Sequence, residues 1–213
     1  VFDAQLSDRA AGDATTITDI RFPMLGDHNV QNCLAAIAVA LEMNIEADSI
    51  RDALADFGGV GRRFETKGVS HGVTIIDDYG HHPVEINAAL KAGRMMCGEN
   101  RLIAVVQPHR YSRLADLFVD FCGCFHDADE VLVADVYAAG ETPIDDINRD
   151  SLVNGLRDHG HKAASALLHR DDLAAEIKAR TSAGDLVMCL GAGDITNWAA
   201  TLPDELEKLG GAE

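Results

Sequence analysis

Short, wholly apolar segments recur along the second half of the chain, and they limit its fold more than any other feature. Leu102–Val106 and Leu186–Leu190 contain no charged or amide side chain. Such segments are typical of strands that are buried on both faces of a parallel sheet. Segments with the apolar spacing of helices alternate with them, and this alternation produces right-handed βαβ units. The pattern predicts an α/β fold with an open, doubly wound, mostly parallel sheet.

The predicted elements fall into two groups, and a glycine cluster at residues 58–61 separates them. Glycine clusters interrupt regular structure, so we expect a small α+β domain over residues 1–61 and the α/β domain over residues 62–213. The first domain is predicted to begin with a hairpin, whose strands lie at residues 1–6 and 15–24 with a turn at 11–13. Two helices are predicted to follow it, at residues 27–43 and 47–57. Apolar spacing predicts the buried stripe of its first helix: Val30, Leu34, Ile37, Ala38 and Leu41. In the second domain, the first strand is predicted at residues 63–67, and a single helix is predicted over residues 114–125.

Composition limits the partners of the chain. It has 18 Lys and Arg residues against 35 Asp and Glu residues, a formal net charge of −17, which argues against a nucleic-acid partner bound by bulk charge. The sequence has no run of 18 or more apolar residues, so no membrane span is predicted. The five cysteines include no Cys-x-x-Cys pair, so buried free thiols and a reducing cytoplasm are expected. The chain begins with Val1 rather than Met, and we expect a fragment of a longer protein.

Polar and titratable residues follow four of the predicted strands. They occupy residues 77–83, 107–113, 135–137 and 191–194. In an open parallel sheet, ligands bind outside the carboxyl ends of the strands. The sequence therefore predicts a ligand site at that edge of the sheet, and agreement among four separate loops is stronger evidence than any single motif.

Residues 77–83, with the sequence Asp-Asp-Tyr-Gly-His-His-Pro, form the densest of these groups. A carboxylate here accepts hydrogen bonds from a ribose or an amine, the Tyr79 ring shapes a pocket, and a histidine donates to an anion. The alternative is that these residues only begin a helix at Pro83. A metal site is a further alternative, with Asp78, His81, His82 and His109 as ligands, but adjacent histidines rarely point the same way and no His-x-x-x-His spacing occurs.

Residues 107–113, with the sequence Gln-Pro-His-Arg-Tyr-Ser-Arg, place two arginines three positions apart. Arg110 and Arg113 share a face if a helix has begun, and together they suit a carboxylate or a phosphate. Because the chain is rich in acids, simple surface ion pairs are the alternative.

Gly191 and Gly193 follow the last apolar strand and form half of a dinucleotide fingerprint. Thr196 occupies the position of its third glycine, which disfavours a nicotinamide-dependent oxidoreductase. We expect instead a tight turn whose backbone N–H groups approach an anion.

Two further pairs are nucleotide-site candidates. His28 and Asn32 lie four residues apart at the start of the first long helix, where an Asn amide matches the edge of adenine. Arg62 and Arg63 lie at the junction of the two predicted domains, where they could clamp a nucleotide. Helix capping and a basic linker are the respective alternatives.

Taken together, these motifs resemble one family, the Mur ligases of bacterial cell-wall synthesis. The resemblance covers the whole chain, and the matching stretches are residues 26–32, 61–64, 77–83 and 191–194. Residues 107–113 and 137–141 (Tyr-Ala-Ala-Gly-Glu) resemble the branch that joins L-alanine to UDP-N-acetylmuramate. A ligase that recycles murein tripeptide, from the same family, is the second choice, and a noncatalytic α/β interaction module is the third.

The resemblance implies a Rossmann-like carboxyl-terminal domain preceded by the end of a central ATPase domain. It implies ATP-dependent amide synthesis through an acyl phosphate in peptidoglycan synthesis, with ATP, UDP-N-acetylmuramate and L-alanine as small-molecule substrates. The family's phosphate-binding loop is absent from these residues and its Mg²⁺ ligands lie mostly elsewhere, so we expect the isolated chain to be inactive.

The resemblance also assigns roles to individual residues. The ATP-binding residues would be His28, Asn32, Arg62, Arg63 and Asp78. The substrate-binding residues would be Tyr79, His81, His82, His109, Arg110, Arg113, Gly191 and Gly193. Three of these, His81, Arg110 and Arg113, would be catalytic, with Arg113 pairing with the alanine carboxylate. His81 is a candidate general base, because imidazole exchanges protons near neutral pH.

Overall fold

The computed structural model describes residues 1–5, 16–24 and 26–210, without the side chain of His28. The chain divides into two units, Val1–Val60 and Gly61–Glu213, so the division falls one residue before the predicted boundary. No helix in the described part of the chain is both long and apolar enough to cross a membrane. All five cysteines are buried and unpaired.

The first unit contains an antiparallel pair of strands and two helices. Strand β1 spans Phe2–Gln5 and β2 spans Thr16–Ile20, and the helices are α1, Asp27–Glu42, and α2, Ala47–Ala55. The predicted hairpin turn at residues 11–13 lies outside the described residues. The core consists of small and branched apolar side chains: Ala4, Ile17, Ile20, Cys33, Ile37 and Ile50.

The predicted apolar stripe of α1 is only partly right: Ile37 is buried and Leu41 packs against the core, but Leu34 and Ala38 are exposed. The buried face carries Asn29, Cys33 and Ile37, whereas Leu34 is 40% exposed. This helix has apolar residues around most of its circumference, so apolar spacing alone could not select the face that packs.

The second unit is built on a six-stranded sheet. Its strands are β3, Glu65–Ser70; β4, Val73–Asp78; β5, Leu102–Val106; β6, Glu130–Val133; β7, Ala164–Ala166; and β8, Leu186–Leu190. Their order across the sheet is β3-β4-β8-β5-β6-β7. Only β3 is antiparallel to its neighbour, and every other pairing is parallel. The predicted mostly parallel sheet is therefore confirmed, and the last strand of the chain lies between β4 and β5.

Helices cover both faces of this sheet. They are α3, Pro83–Cys97; α4, Tyr111–Asp116; α5, Phe118–Gly123; α6, Arg149–Asp158; α7, Leu173–Arg180; and α8, Ile195–Gly210. The single helix predicted over residues 114–125 is wrong, because the chain forms two short helices with Leu117 between them. Leu117 has φ −116° and ψ 21°, outside the helical range, and this changes the direction of the chain.

Alternating residues of the central strands β4, β5 and β8 enter two separate cores, as buried parallel strands require. Ile76, Val106 and Met188 pack in a core with α3, α4, α5 and α6. Ile75, Val105 and Cys189 pack on the opposite face with α7 and α8. Burial raises the pKa of the Cys189 thiol to about 12, so this cysteine acts as a small apolar residue. The doubly wound arrangement leaves the loops at the carboxyl edge of the sheet available to form a site.

Candidate functional site

The loops that follow β4, β5, β6 and β8 meet at the carboxyl edge of the sheet. The Gly191 amide donates to the Asp78 carbonyl at 3.1 Å, which joins the loops after β8 and β4. An isolated parallel bridge between His109 and Tyr137 joins the loops after β5 and β6. The four groups of polar residues singled out in the sequence are therefore held together by backbone hydrogen bonds.

A cavity of about 550 Å³ opens at this edge. The loops after β4, β5 and β8 contribute to its walls, as do α4 and the residue that follows it. The lining residues are Tyr79, His81, His109, Arg110, Ser112, Arg113, Asp116, Leu117 and Ala192. Five of these residues are predicted site residues. Ser112 and Ala192 lie in predicted loops but were given no role of their own. Asp116 and Leu117 were not predicted, and only the fold places them on the wall.

Aromatic rings form a row along the cavity. Tyr79 and His81 meet edge to face, with ring centroids 5.1 Å apart. The rings of His81 and His109 are 6.0 Å apart, and His109 stacks on Tyr137 at 5.5 Å and 10°. These contacts fix the ring planes, so the imidazoles present defined edges to the cavity.

The hydrogen-bond partners of the two histidines assign their neutral tautomers. His81 Nδ1 lies 3.0 Å from the Tyr79 carbonyl oxygen, which only accepts, so Nδ1 carries the hydrogen and Nε2 is left as the proton acceptor. His109 Nδ1 lies 3.1 Å from an Arg113 guanidinium nitrogen, which only donates, so His109 carries its hydrogen on Nε2. Burial first, and then the nearby charge of Arg113, lower the pKa of His109 below its usual value, so this ring is held neutral.

Arg113 and Arg110 reach the cavity from the start of α4. The Arg113 guanidinium also donates to the His109 carbonyl at 2.9 Å. Arg110 lies 3.6 Å from Glu141, and its side chain is 49% exposed. Two guanidinium groups therefore flank one cavity, an arrangement that suits an anionic ligand.

Arg62 and Arg63 have different surroundings. The Arg62 guanidinium donates to the Gly191 carbonyl at 2.6 Å, lies 3.7 Å from the Asp77 carboxylate and stacks 4.8 Å above the Tyr79 ring centroid. Arg63 is exposed, with its guanidinium 5.8 Å from that centroid. Arg62 is thus bound into the base of the site, while Arg63 faces outward.

Asp77 and Asp78 are both buried, and both hold loops. Asp77 is fully buried and accepts from the Thr196 hydroxyl at 2.6 Å, with Lys67 at 3.6 Å. Asp78 accepts from the backbone amides of Phe64 at 2.8 Å and Gly80 at 2.7 Å. The partners of Asp77 were not predicted. The available signal was an acid inside an otherwise apolar strand, since a buried charge needs partners.

Three predicted substrate residues lie outside the group of residues that line the cavity. His82 is the N-cap of α3, and its Nδ1 accepts from the Val84 amide at 3.3 Å. The carbonyls of Gly191 and Gly193 accept from Arg62, and the Gly191 amide already donates to Asp78. The glycine turn therefore presents carbonyl oxygens to a guanidinium, rather than the Gly191 N–H group to an anion.

Gln107 is a residue that the sequence analysis did not single out. It is 4% exposed, its Nε2 donates to Asp194 at 2.7 Å and its Oε1 accepts from the Ile195 amide at the start of α8. It connects the end of β5 to the loop after β8. The signals in the sequence were its position directly after a wholly apolar strand and its place as the first residue of the 107–113 group.

The remaining predicted residues, His28 and Asn32, belong to the first unit. Both lie in the first turns of α1, four residues apart, and Asn32 is exposed. Across residues 1–5, 16–24 and 26–210, no three His, Cys, Asp or Glu side chains converge as metal ligands would.

Comparison with known proteins gives consistent matches along the chain. Residues 62–193 match the family described as Mur ligase, glutamate ligase domain. A UDP-N-acetylmuramate–L-alanine ligase from Rhodospirillum centenum is 57% identical over 210 residues, which are 99% of this chain and 43% of that protein. One from Paramagnetospirillum magneticum is 54% identical and covers 100% of this chain and 45% of that protein.

Solved structures agree in fold. The chain resembles UDP-N-acetylmuramate–alanine ligase MurC from Thermotoga maritima with a TM-score of 0.75 and 25% identity, over 92% of this chain and 43% of that one. It resembles a murein peptide ligase from Psychrobacter arcticus with a TM-score of 0.62 and 22% identity, over 93% of this chain and 40% of that one. The chain therefore spans less than half the length of these relatives.

Proposed function

The chain belongs to the Mur ligase family, and on that basis we propose that it supplies the carboxyl-terminal part of a cytoplasmic ATP-dependent ligase that joins L-alanine to UDP-N-acetylmuramate. The observation that carries this proposal is the cavity at the carboxyl edge, which is lined by the two arginines together with three aromatic side chains: Arg110, Arg113, Tyr79, His81 and His109. The names of these curated relatives support the choice of substrates.

The arginines suit both anionic groups of such a reaction. An amino acid presents a carboxylate, and a planar guanidinium binds a carboxylate through two parallel hydrogen bonds. We assign this role to Arg113, whose guanidinium is fixed by two contacts to His109. Arg110 is more exposed and is assigned to the acyl phosphate, because a cation stabilises the charge that develops as phosphate leaves. Tyr79 limits the space for the amino-acid side chain.

The amine must lose a proton before or as it attacks. In the proposed step its nitrogen forms a bond to the acyl carbon, the bond from that carbon to the phosphate oxygen breaks, and the nitrogen proton passes to a base. His81 is proposed as this base, because its Nδ1 is bound to the Tyr79 carbonyl and Nε2 remains the acceptor. His109 is held in the opposite tautomer and is proposed to donate a hydrogen bond to substrate.

Within the second unit we propose that Asp78 and Arg63 contact ATP. The assignment of His28 and Asn32 to ATP stays a prediction. Arg62 is assigned mainly to support of the site, since its guanidinium binds the Gly191 carbonyl and stacks on Tyr79. The ligands for Mg²⁺ are proposed to lie mostly in the rest of the enzyme.

The test measures phosphate release from ATP by the complete protein that carries this sequence. The assay contains UDP-N-acetylmuramate, with and without L-alanine, and mass spectrometry identifies the amide product. Release that requires both substrates is the expected result. Release that requires a murein tripeptide instead of L-alanine would move the assignment to the recycling ligase, and no release with any amine would overturn the proposal.

A further inference from the structure

The segment at residues 136–141 lies against the loop that carries the two arginines. The Tyr137 amide donates to the Pro108 carbonyl at 2.8 Å, and the Arg110 amide donates to the Tyr137 carbonyl at 2.9 Å. The Tyr137 ring stacks on His109. This segment therefore contacts the arginine loop through both its backbone and its side chains.

Glu141 ends the segment and binds the beginning of α4. Its carboxylate accepts from the Ser112 amide at 3.0 Å and from the Ser112 hydroxyl at 2.7 Å, and it lies 3.6 Å from Arg110. The hydrogen bonds from Ser112 and the charge of Arg110 lower the pKa of Glu141, so it is ionised at neutral pH. Ser112, Arg110 and Arg113 line the cavity, whereas Glu141 is not among the residues of its wall.

Backbone strain occurs in both of the segments that meet here. Ala139 has φ 49° and Arg110 has φ 75°, left-handed conformations that side chains other than glycine rarely adopt. Ala139 and Gly140 form a tight turn closed by the Glu141 amide on the Ala138 carbonyl at 3.0 Å. Strained residues persist where surrounding contacts determine their conformation, and they cluster at functional sites.

We propose that Glu141 is a positioning residue for the arginine loop. Its carboxylate holds Ser112 and Arg110 so that Arg110 and Arg113 point into the cavity in the geometry that binds the substrate anions. Glu141 acts only through these residues and does not touch substrate itself. This inference rests on the proposed function, since the anions it invokes are the amino-acid carboxylate and the acyl phosphate.

The test compares the Glu141→Gln variant with the wild type in the complete protein. Gln has the same shape and still accepts one hydrogen bond, but it has no charge to hold Arg110. We expect the KM for L-alanine to rise about tenfold, because Arg113 is displaced together with Ser112, and kcat to fall about tenfold, because Arg110 is assigned to the acyl phosphate. Hydrogen exchange at the Ser112 amide should accelerate, and the melting temperature should stay that of the wild type.

Glu176→Gln is the matched control, because Glu176 also binds an arginine, Arg180 at 2.5 Å, on a helix that contributes nothing to the cavity wall. This variant should leave the KM for L-alanine unchanged. If the wild type is active and Glu141→Gln leaves either the KM for L-alanine or kcat unchanged, or lowers stability, the positioning role is wrong. If the wild type shows no alanine-dependent release, the proposed function fails, and unchanged Ser112 exchange in the variant would then overturn the positioning role independently.

Discussion

Neighbouring residues of one chemical type acquire different roles through their backbone conformation. Arg62 has φ 59°, and this left-handed conformation turns its side chain toward the Gly191 carbonyl and the Asp77 carboxylate. Arg63 remains exposed. The two residues look alike in the sequence, but only one of them contributes to the packing of the site.

Stability measurements on this chain should separate these two arginines. Arg62→Ala should lower the free energy of unfolding by about 1–3 kcal/mol, because it removes charge-assisted hydrogen bonds to backbone carbonyls. Arg63→Ala should change it by less than about 0.5 kcal/mol, as is usual for exposed positions. Urea unfolding of the two variants measures both values, and equal losses would contradict the difference in their surroundings.

A second prediction at this scale concerns Arg113. In the complete protein, Arg113→Ala should raise the KM for L-alanine roughly 10- to 150-fold, since a hydrogen bond to a charged group contributes about 1.5–3 kcal/mol. Steady-state phosphate release measures the change. Arg180→Ala is the control, because Arg180 pairs with Glu176 and Glu130 rather than lining the cavity. An unchanged KM would remove Arg113 from the amino-acid site.

Among the elements, the short loops between strands and helices carry the tightest constraints. In the loop after β8, a Cβ atom on Gly193 would overlap Gln107 Oε1 and lie 2.7 Å from the Tyr137 ring. The same Gln107 oxygen accepts from the first amide of α8. The glycine is therefore required because three elements approach each other closely at that point.

Gly193→Ala should lower the free energy of unfolding by about 1–3 kcal/mol through overpacking. It should also weaken the His109–Tyr137 stack, because the added methyl group displaces the Tyr137 ring. Gly123→Ala is the matched control, since a Cβ there meets nothing within 4 Å and the residue ends a helix. Urea unfolding compares the two, and a Gly193→Ala variant as stable as Gly123→Ala would mean that the loop adjusts freely.

For the whole molecule, an acidic chain concentrates cations at one edge of its sheet. The net charge of −17 is offset locally by Arg62, Arg63, Arg110 and Arg113. Several acids elsewhere are bound to cations: hydrogen bonds from Lys67 and Arg170 lower the pKa of Glu65 and of Glu205. His109 shows the matching effect for a base, because burial lowers its pKa.

The pKa values of Glu65, Glu205 and His109 are all lowered in the folded state, so a fall in pH should destabilise the fold in two stages. A group whose pKa is lower in the folded state stabilises the fold above its unfolded pKa, and this contribution is lost as the pH falls. For His109 the loss should begin below about pH 6.5, and for the two glutamates below about pH 4.3. Urea unfolding from pH 8 to pH 3 measures the free energy. The difference in the free energy of unfolding between the wild type and His109→Gln should be constant above about pH 7 and should become smaller below about pH 6.5. A difference that becomes larger as the pH falls would refute this assignment.

The sequence alone determined which segments form the strands of the parallel sheet, although it did not give every end: the first strand of the second unit, predicted over residues 63–67, spans Glu65–Ser70. Apolar runs such as Leu102–Val106 remove all their side chains from water when both faces of the strand are buried, so local composition predicts that they form strands. The group of residues at the carboxyl edge follows from the same argument, because parallel strands bring their ends together. Five predicted residues, Tyr79, His81, His109, Arg110 and Arg113, consequently share one cavity.

Only the tertiary structure decided which loops touch and which side chain fills each role. The placement of β8 between β4 and β5 joins residues that are more than a hundred positions apart, such as Arg62 and Gly191. The tertiary structure also makes His82 a helix cap and Glu141 a partner of Ser112, and the sequence alone did not assign these two roles. The physical reason is that local periodicity reports which faces of a segment are buried, whereas strand order and side-chain partners depend on the packing of distant segments, which no local pattern contains.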